Sequence, residues 1–372
     1  MDDERVIDNR AEVGGERFRS PFALLRAGGR ASPSRLPDQW FIACASDELR
    51  SEPRAVTIQN VPLAIFRDEN GAPAALLDRC PHRNVPLSGG RCLPDGTIEC
   101  PYHGWRFDRE GACRKVPGLV GSPGAKARTA ISFATREQDG WIWVYSTPGV
   151  IPDKEPHRFA LLHASGYTSV RQTVEAQGSL YSTIENALDV PHTACLHRGL
   201  FRSESRGVKI RVKVRRSHDR VEAEYVGEPR PPGLVARILS PSGGIVTHFD
   251  RFILPSIAQV EYRIGTENHF LADTAMTPVS EFKTRIHAVI SFRSRIPGAV
   301  LAPILRPLAM RIFQQDADIL HRQSENIRRF GGEQFVSTDI DVLGRHIFRL
   351  LRAAERGEVS PPNEEAEAEL IV

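Results

Sequence analysis

Two short segments limit what this chain can fold into more than any other feature: Cys80-Pro-His82 and Cys100-Pro-Tyr-His103, with seventeen residues between them. Each places one thiol and one imidazole on a tight loop rich in proline and glycine, CPHRNVPLSGG in the first case and CPYHGW in the second. Such loops present donors from the ends of strands without needing a helix. The neighbouring sequence agrees, with short β-runs at Trp40–Cys44, Arg54–Gln59, Leu63–Arg67, Ala74–Asp78, Thr97–Cys100 and Gly140–Tyr145, closed by Thr147-Pro148-Gly149. Two metals suit two thiolates and two imidazoles: a tetrahedral zinc ion, or a [2Fe–2S] cluster with both Cys on one iron and both His on the other.

Zinc-finger spacings keep the two Cys together and the two His together. Here each loop supplies one of each, and in this the chain resembles the Rieske domain over Cys80, His82, Cys100 and His103, followed by Gly104-Trp105. Rieske proteins of respiratory bc complexes carry an extra Cys in each loop. Val85 and Tyr102 stand at those positions here, so the resemblance is to the oxygenase and ferredoxin branch. Cys44, Cys92, Cys113 and Cys195 read as ordinary core or surface thiols.

A second constellation follows in Asn186-Ala-Leu-Asp189-Val-Pro191-His192-Thr-Ala-Cys-Leu-His197. On a regular helix, residues five apart point about 140° from each other, too far round for one metal. Pro191 should break the predicted helix Tyr181–His197 and let both imidazoles turn to one point. Asp189 is then placed to hold the outer nitrogen of His192. Two His five apart are more often structural when met alone. Downstream of the Rieske motif, however, Asn186, Asp189, His192 and His197 resemble the iron-binding segment of Rieske non-haem iron oxygenases. That family takes its third ligand from an acid on a late helix. Asp316 and Asp318 compete; Asp316 shares the apolar face with Ile312, Ile319 and Leu320, whereas Asp318 sits among Arg311, Gln314 and Arg322, so Asp316 is preferred.

The expected fold is α+β: an N-terminal arm over 1–35 with a short helix around Pro21–Arg26, an all-β Rieske domain over 36–148, a helix-grip catalytic domain over 149–354, and a loose acidic tail over 355–372. Strands are predicted at Val208–Arg215, Arg220–Val226, Ile245–Leu254, Ala258–Ile264, Asn268–Met276 and Thr284–Phe292, followed by a helix from Ala309 to Phe330. The exposed face of Val208–Arg215 carries Lys209, Arg211, Lys213 and Arg215 and reads as a wet sheet face.

The resemblance implies a [2Fe–2S] cluster, a mononuclear Fe(II) and O2 as co-substrate, in a head-to-tail homotrimer. Electrons pass from His103 through a neighbour's Asp189 to His192. It implies monooxygenation of a bulky hydrophobic or aromatic molecule (hydroxylation, demethylation or amine oxidation), with dioxygenation also within the family's range. No flavin or nicotinamide fingerprint occurs, so an NAD(P)H-dependent reductase or a ferredoxin is the expected partner. Arg83, Arg91, Arg106, Arg109, Arg114 and Lys115 are candidates to receive it, or simply solvated loop charges. The net charge of +3, from 49 basic and 46 acidic residues, argues against nucleic acid as partner. No apolar run is long enough to span a membrane, and the N-terminus lacks the apolar stretch of a secretory signal, so a cytoplasmic setting with reduced cysteines is expected. Two other readings remain: a Rieske ferredoxin-like electron carrier without catalytic iron, and a zinc-binding interaction protein.

Overall fold

Dense glycine and proline punctuation keeps the strands of the first half short. The computed structural model describes residues 35–197, 208–228, 246–265, 268–294, 297–358 and 362–371. The expected arm and its helix around Pro21–Arg26 fall outside the described residues. Eleven strands follow: β1 (Trp40–Ala45), β2 (Arg54–Ile58), β3 (Val61–Arg67), β4 (Pro73–Leu77), β5 (Arg91–Cys92), β6 (Ile98–Glu99), β7 (Arg106–Phe107), β8 (Cys113–Lys115), β9 (Ser132–Phe133), β10 (Thr135–Gln138) and β11 (Trp141–Tyr145). They form three small sheets, ordered β1-β11-β10, β2-β3-β4-β9 and β5-β6-β7-β8. The two Cys/His loops leave β4 and β6, and Phe66, Leu76, Leu87, Ile98 and Phe107 are buried beneath them.

The second half is one antiparallel sheet with helices against it. Its strands are β12 (Thr168–Ala176), β13 (Lys209–Arg216), β14 (Arg220–Val226), β15 (Val246–Ile253), β16 (Ile257–Ile264), β17 (Asn268–Ser280), β18 (Lys283–Arg293) and β19 (Glu364–Ile371), in the order β12-β18-β17-β16-β15-β14-β13-β19. Helices α1 (Leu180–Leu188), α2 (His192–Leu196), α3 (Gly298–Phe330) and α4 (Gly344–Arg356) complete the described elements. α1 crosses β15, β16 and β17, and α3 packs on β12. The halves share a core in which Phe41, Val56 and Ile65 pack with Ile184, Val212 and Tyr225. Backbone bonds from Gln59 N–H to the Pro278 carbonyl (2.6 Å) and from Asn60 N–H to the Val279 carbonyl (2.9 Å) pin them edge to edge.

Register sets the shape of the sheet's inner face. One inward row runs Tyr225, His248, Tyr262, Phe270, Phe292 across β14, β15, β16, β17 and β18. The next runs Asp250, Val260, Ala272, Ile290, Val170 across β15, β16, β17, β18 and β12. Because side chains alternate faces with period two, both rows point the same way. Small residues at their centre, Val260 and Ala272, leave a hollow beneath α1 and α3.

Three expectations are corrected. The helix predicted from Ala309 begins at Gly298 and runs through Pro303 and Pro307. Each proline removes one backbone donor, but Leu301 and Leu305 pack on Phe292 and hold this stretch helical. The stripe containing Asp316 is also rotated slightly: Ala317 and Leu320 are buried, while Ile319 is exposed. The largest change is at the C-terminus, where the expected loose tail is partly the strand β19, paired antiparallel with β13. The basic face of β13 is exposed as expected, at Lys209, Arg211 and Arg215, but it also faces acidic partners. Arg211 lies opposite Glu369, Lys213 opposite Glu367 and Arg215 opposite Glu365, and Lys209 Nζ sits 2.6 Å from Glu369. Opposite charges facing across an antiparallel pair favour the pairing, so acidity that reads as a solvated tail serves to match a cationic edge.

The triple change Glu365→Lys, Glu367→Lys, Glu369→Lys should lower the melting temperature by roughly a few degrees at low salt, with partial recovery in high salt. A melting temperature that ignores both the change and the salt would remove charge matching as the reason β19 docks.

Candidate metal centres and substrate cavity

The two Cys/His loops are built alike. In each, the Cys N–H donates to the carbonyl five residues on, Cys80 to Val85 (2.9 Å) and Cys100 to Trp105 (2.8 Å). The Cys carbonyl in turn accepts from the N–H four residues on, from Asn84 (2.9 Å) and from Gly104 (3.1 Å). Both fourth positions take left-handed backbone, φ 62° at Asn84 and 68° at Gly104. Asn and Gly are the residues that tolerate this region, and at Gly104 an added Cβ would also come within 3.1 Å of Pro117. The turns bring the His82 and His103 rings to 4.5 Å between centroids, with Trp105 stacked on His82 at 4.7 Å. His103 is exposed, as is Tyr102 beside it at 63%.

The donor set fits a two-iron cluster better than a single ion. Around one tetrahedral zinc, donors lie roughly 3.3–3.8 Å apart. Among the described residues, however, the one group of three or more His, Cys, Asp or Glu with donor atoms all within 4.8 Å is elsewhere in the chain. Cys80, His82, Cys100 and His103 are therefore spread over more space than one ion fills. His82 Nδ1 is buried without a hydrogen-bond partner, and burial, reinforced by the neighbouring Cys100 side chain, pushes the Cys80 thiol up to about 11. Metal ligation at these thiolates and imidazoles would relieve both costs.

That compact group is His192, His197 and Asp316. α1 ends at Leu188, Asp189 turns extended (φ −87°, ψ 106°), and α2 restarts behind Pro191. The break lets two residues five apart converge: His192 Nε2 lies 3.3 Å from His197 Nε2. From α3, Asp316 Oδ1 comes within 3.1 Å of His197 Nε2 and 3.5 Å of His192 Nε2. Donors on one face of a cation, about 2.1 Å from each and at right angles, lie roughly 3.0 Å apart, so the triangle has the size for one ion. Asp318 points to the other side, where the Gln314 amide donates to it at 2.9 Å.

Both imidazoles have their outer nitrogens held. His192 Nδ1 donates to the backbone carbonyl of Asp189, while the Asp189 carboxylate accepts from the His192 backbone N–H at 3.2 Å. The sequence reading assigned the outer nitrogen to the Asp189 side chain; that carboxylate is 3.5 Å away, and the carbonyl is the shorter partner. His197 Nδ1 donates to Gln315 Oε1 at 2.9 Å, a contact that helical spacing alone did not single out. Burial would lower the His192 pKa, but the carboxylates of Asp189 and Asp316 overrule it and push it up to about 10. Asp316 shows the converse: burial favours its neutral form, and the two imidazoles hold it below the usual carboxylate range. Its buried Oδ1 makes no hydrogen bond of acceptable geometry. The point between the three side chains therefore calls for positive charge.

The triad opens into a cavity of about 200 Å³ between the helices and the sheet. Asn186 and Asp189 line it beside the triad; Val170, Ile290, Phe292, Leu305 and Phe313 are among its apolar walls. On the sheet side it meets His248, Asp250 and Tyr262. Nothing in the sequence singles out His248. It is fully buried, with Nδ1 2.7 Å from Glu228 and Nε2 3.0 Å from Asp250, and its ring is stacked between Tyr225 (4.3 Å) and Tyr262 (4.0 Å).

The Rieske [2Fe–2S] domain model matches residues 39–126, and the vanillate O-demethylase oxygenase C-terminal domain model matches residues 177–357. The chain belongs to the Rieske non-haem iron oxygenase family. Among its relatives, the oxygenase component of dicamba O-demethylase from Stenotrophomonas maltophilia is 35% identical over 165 residues, 43% of this chain and 47% of the relative, so the match spans about half of that protein. The vanillate O-demethylase oxygenase subunit of a Pseudomonas strain is 28% identical over 85% of this chain and 95% of its own. A crystal structure of dicamba monooxygenase bound to dicamba shares the fold, with a TM-score of 0.72 at 22% identity, covering 87% of this chain and 98% of that one. The matched domain model is that of a [2Fe–2S] cluster domain, and another solved structure of the same fold is dicamba monooxygenase with non-haem iron and dicamba, with a TM-score of 0.68 at 20% identity.

His248 provides a check on the electrostatics. Burial works to lower its pKa, but Asp250 and Glu228 prevail and raise it to about 9. A raised folded-state pKa means that the imidazolium's stabilisation is complete below about pH 6.5 and is lost as pH rises through about 9. Histidine-selective NMR should show a ring titrating near pH 9 whose signal disappears in His248→Gln; a midpoint below 7 for that ring would contradict the charged sandwich.

Proposed function

We propose that this chain is the terminal oxygenase of a multi-component system, monooxygenating a bulky hydrophobic or aromatic small molecule by hydroxylation, demethylation or amine oxidation. The observation that carries the reading is the His192–His197–Asp316 triangle opening on an apolar cavity, in a chain that also carries the Rieske loops. Cys80, His82, Cys100 and His103 would hold a [2Fe–2S] cluster, which would supply single electrons, and His192, His197 and Asp316 would hold a ferrous ion, which would supply O2 activation. The remaining work belongs to the protein. The Asp189 carbonyl and Gln315 amide keep both Nδ1 atoms protonated, which leaves both Nε2 lone pairs directed at one point. Apolar walls take up the hydrophobic body of the substrate and exclude water. An electron carrier needs neither a triad nor a cavity.

In this reading residues 36–148 form the Rieske unit and 149–354 the catalytic one, and the chain works as a head-to-tail homotrimer. A cleft lined by Ser182, Glu185, Asn186, Asp189 and His192 opens on the outer side of the triad. Together with the exposed His103, this supports a route in which one protomer's His103 meets a neighbour's Asp189. Reducing equivalents come from an NAD(P)H-dependent reductase, a ferredoxin or both. The basic loop residues give its docking little support. Arg91 and Arg106 pair with Glu99, Arg109 with Asp68 and Arg114 with Asp108, which leaves Arg83 and Lys115 without an ion pair among the described residues.

Metal analysis should return about three irons per chain for the wild type and about two for Asp316→Ala, the latter keeping its Rieske absorbance and losing substrate-dependent O2 uptake. About two irons in the wild type would leave an electron carrier. Gln315→Leu should weaken Fe(II) binding roughly 10- to 100-fold, with Gln315→Glu retaining most of it. Asp189→Asn should retain both metals and lose turnover; unchanged turnover would remove Asp189 from the electron route.

A further inference from the structure

The sheet wall of the cavity is apolar apart from Thr274 and one cluster on β15 and β16, where His248, Asp250 and Tyr262 meet the space that the triad overlooks from the helices. The cluster is costly to build. Glu228 and Asp250 are each 1% exposed and His248 is 0% exposed, and ionised groups so buried are stable only with partners. His248 serves as partner to both acids, with one N–H toward Glu228 and the other toward Asp250.

This arrangement fixes the polarity that a ligand encounters. Both ring nitrogens of His248 are engaged and both ring faces are covered by Tyr225 and Tyr262, so the imidazole has no donor left for a ligand. Asp250 accepts from His248 through Oδ1, and a carboxylate offers about four acceptor sites, so acceptor capacity remains even with the Tyr225 phenol beside it. Burial first, and the Asp250 charge next, hold the Tyr225 phenol well above its ordinary pKa. Register puts Asp250 in the same inward row as Val260, Ala272, Ile290 and Val170. A molecule lying along that row in the cavity therefore meets Asp250 at the β15 end.

We infer that Asp250, oriented by His248, anchors a hydrogen-bond donor on the substrate, best met by a protonated amine, at the end opposite the carbon that faces the triad. The assignment rests on the oxygenase reading above and deepens it by naming the substrate class: amphipathic aryl or alicyclic amines, with anionic carboxylates such as vanillate disfavoured by like charge. His248 is a positioning residue in this account, because it acts on the ligand through Asp250.

The test uses the full-length chain loaded with cluster and iron, without reductant, and two probes of one skeleton, 4-methoxybenzylamine and 4-methoxybenzoate, titrated calorimetrically. The amine should bind on the order of tenfold tighter or more. Asp250→Asn, nearly isosteric and checked by its melting curve, should close that gap by weakening the amine and strengthening the benzoate. Equal binding, tighter benzoate binding, or binding of neither probe to the wild type overturns the assignment, as does a preference that survives in Asp250→Asn. Because no turnover is involved, the oxygenase reading fails separately. Amine preference without any substrate-dependent O2 uptake after reduction would sink that reading and leave this one. Uptake driven by benzoates would do the reverse.

Discussion

A break in one helix organises the catalytic half of the molecule. Between Leu188 and His192 the helix is interrupted at an extended Asp189, and that interruption converts a five-residue spacing into two imidazole nitrogens 3.3 Å apart. A continuous helix would have turned one of them away. The break also brings its own restraints: the Asp189 carbonyl fixes the His192 ring and the Asp189 carboxylate caps the restarted helix. α3 then needs to supply only one carboxylate, Asp316, and the adjacent Gln315 steadies the second ring. The site is thus assembled from two short stretches that clasp across the end of a cavity.

The same electrostatic rule recurs at several depths. At the triad, one carboxylate and two imidazoles surround a point that calls for a cation. At the cavity's sheet wall, two carboxylates enclose one imidazolium. At the edge of the sheet, the cations of β13 face the glutamates of β19. Burial raises the stake from edge to centre, since the cost of an unpaired charge grows as water is excluded. The edge pairs register two strands at little cost, whereas the two buried groups suit particular occupants, a metal in the proposed reading of one and a donor-bearing ligand in that of the other.

Local chemistry was legible in the sequence and long-range register was not. The Cys/His loops carry their meaning in a few adjacent residues, down to the paired left-handed positions at Asn84 and Gly104. Pro191 announced the helix break, and face-matching on α3 set Asp316 apart from Asp318. By contrast, β19 was hidden because a run of glutamates resembles a solvated tail until a basic strand lies opposite. The first turns of α3 were hidden because Pro303 and Pro307 argue against a helix that tertiary packing then enforces. The α4 segment had a readable signal in Leu343, Ile347, Leu350 and Leu351, the 3–4 spacing of an amphipathic helix. His248 and Asp250 offered none. Two residues apart on a strand, they look like any polar pair, and only the pairing of β14, β15 and β16 puts them against Glu228, two tyrosines and the cavity.

The most direct measurement of the central claim is the anomalous scattering of iron in crystals of the full-length protein, collected on both sides of the iron edge. The account predicts two kinds of peak: a cluster between the Cys80–His82 and Cys100–His103 loops, and a single, separate ion within bonding distance of His192 Nε2, His197 Nε2 and an Asp316 oxygen. Iron in the loops with none between those three side chains, in crystals grown with ferrous iron in excess, would contradict it.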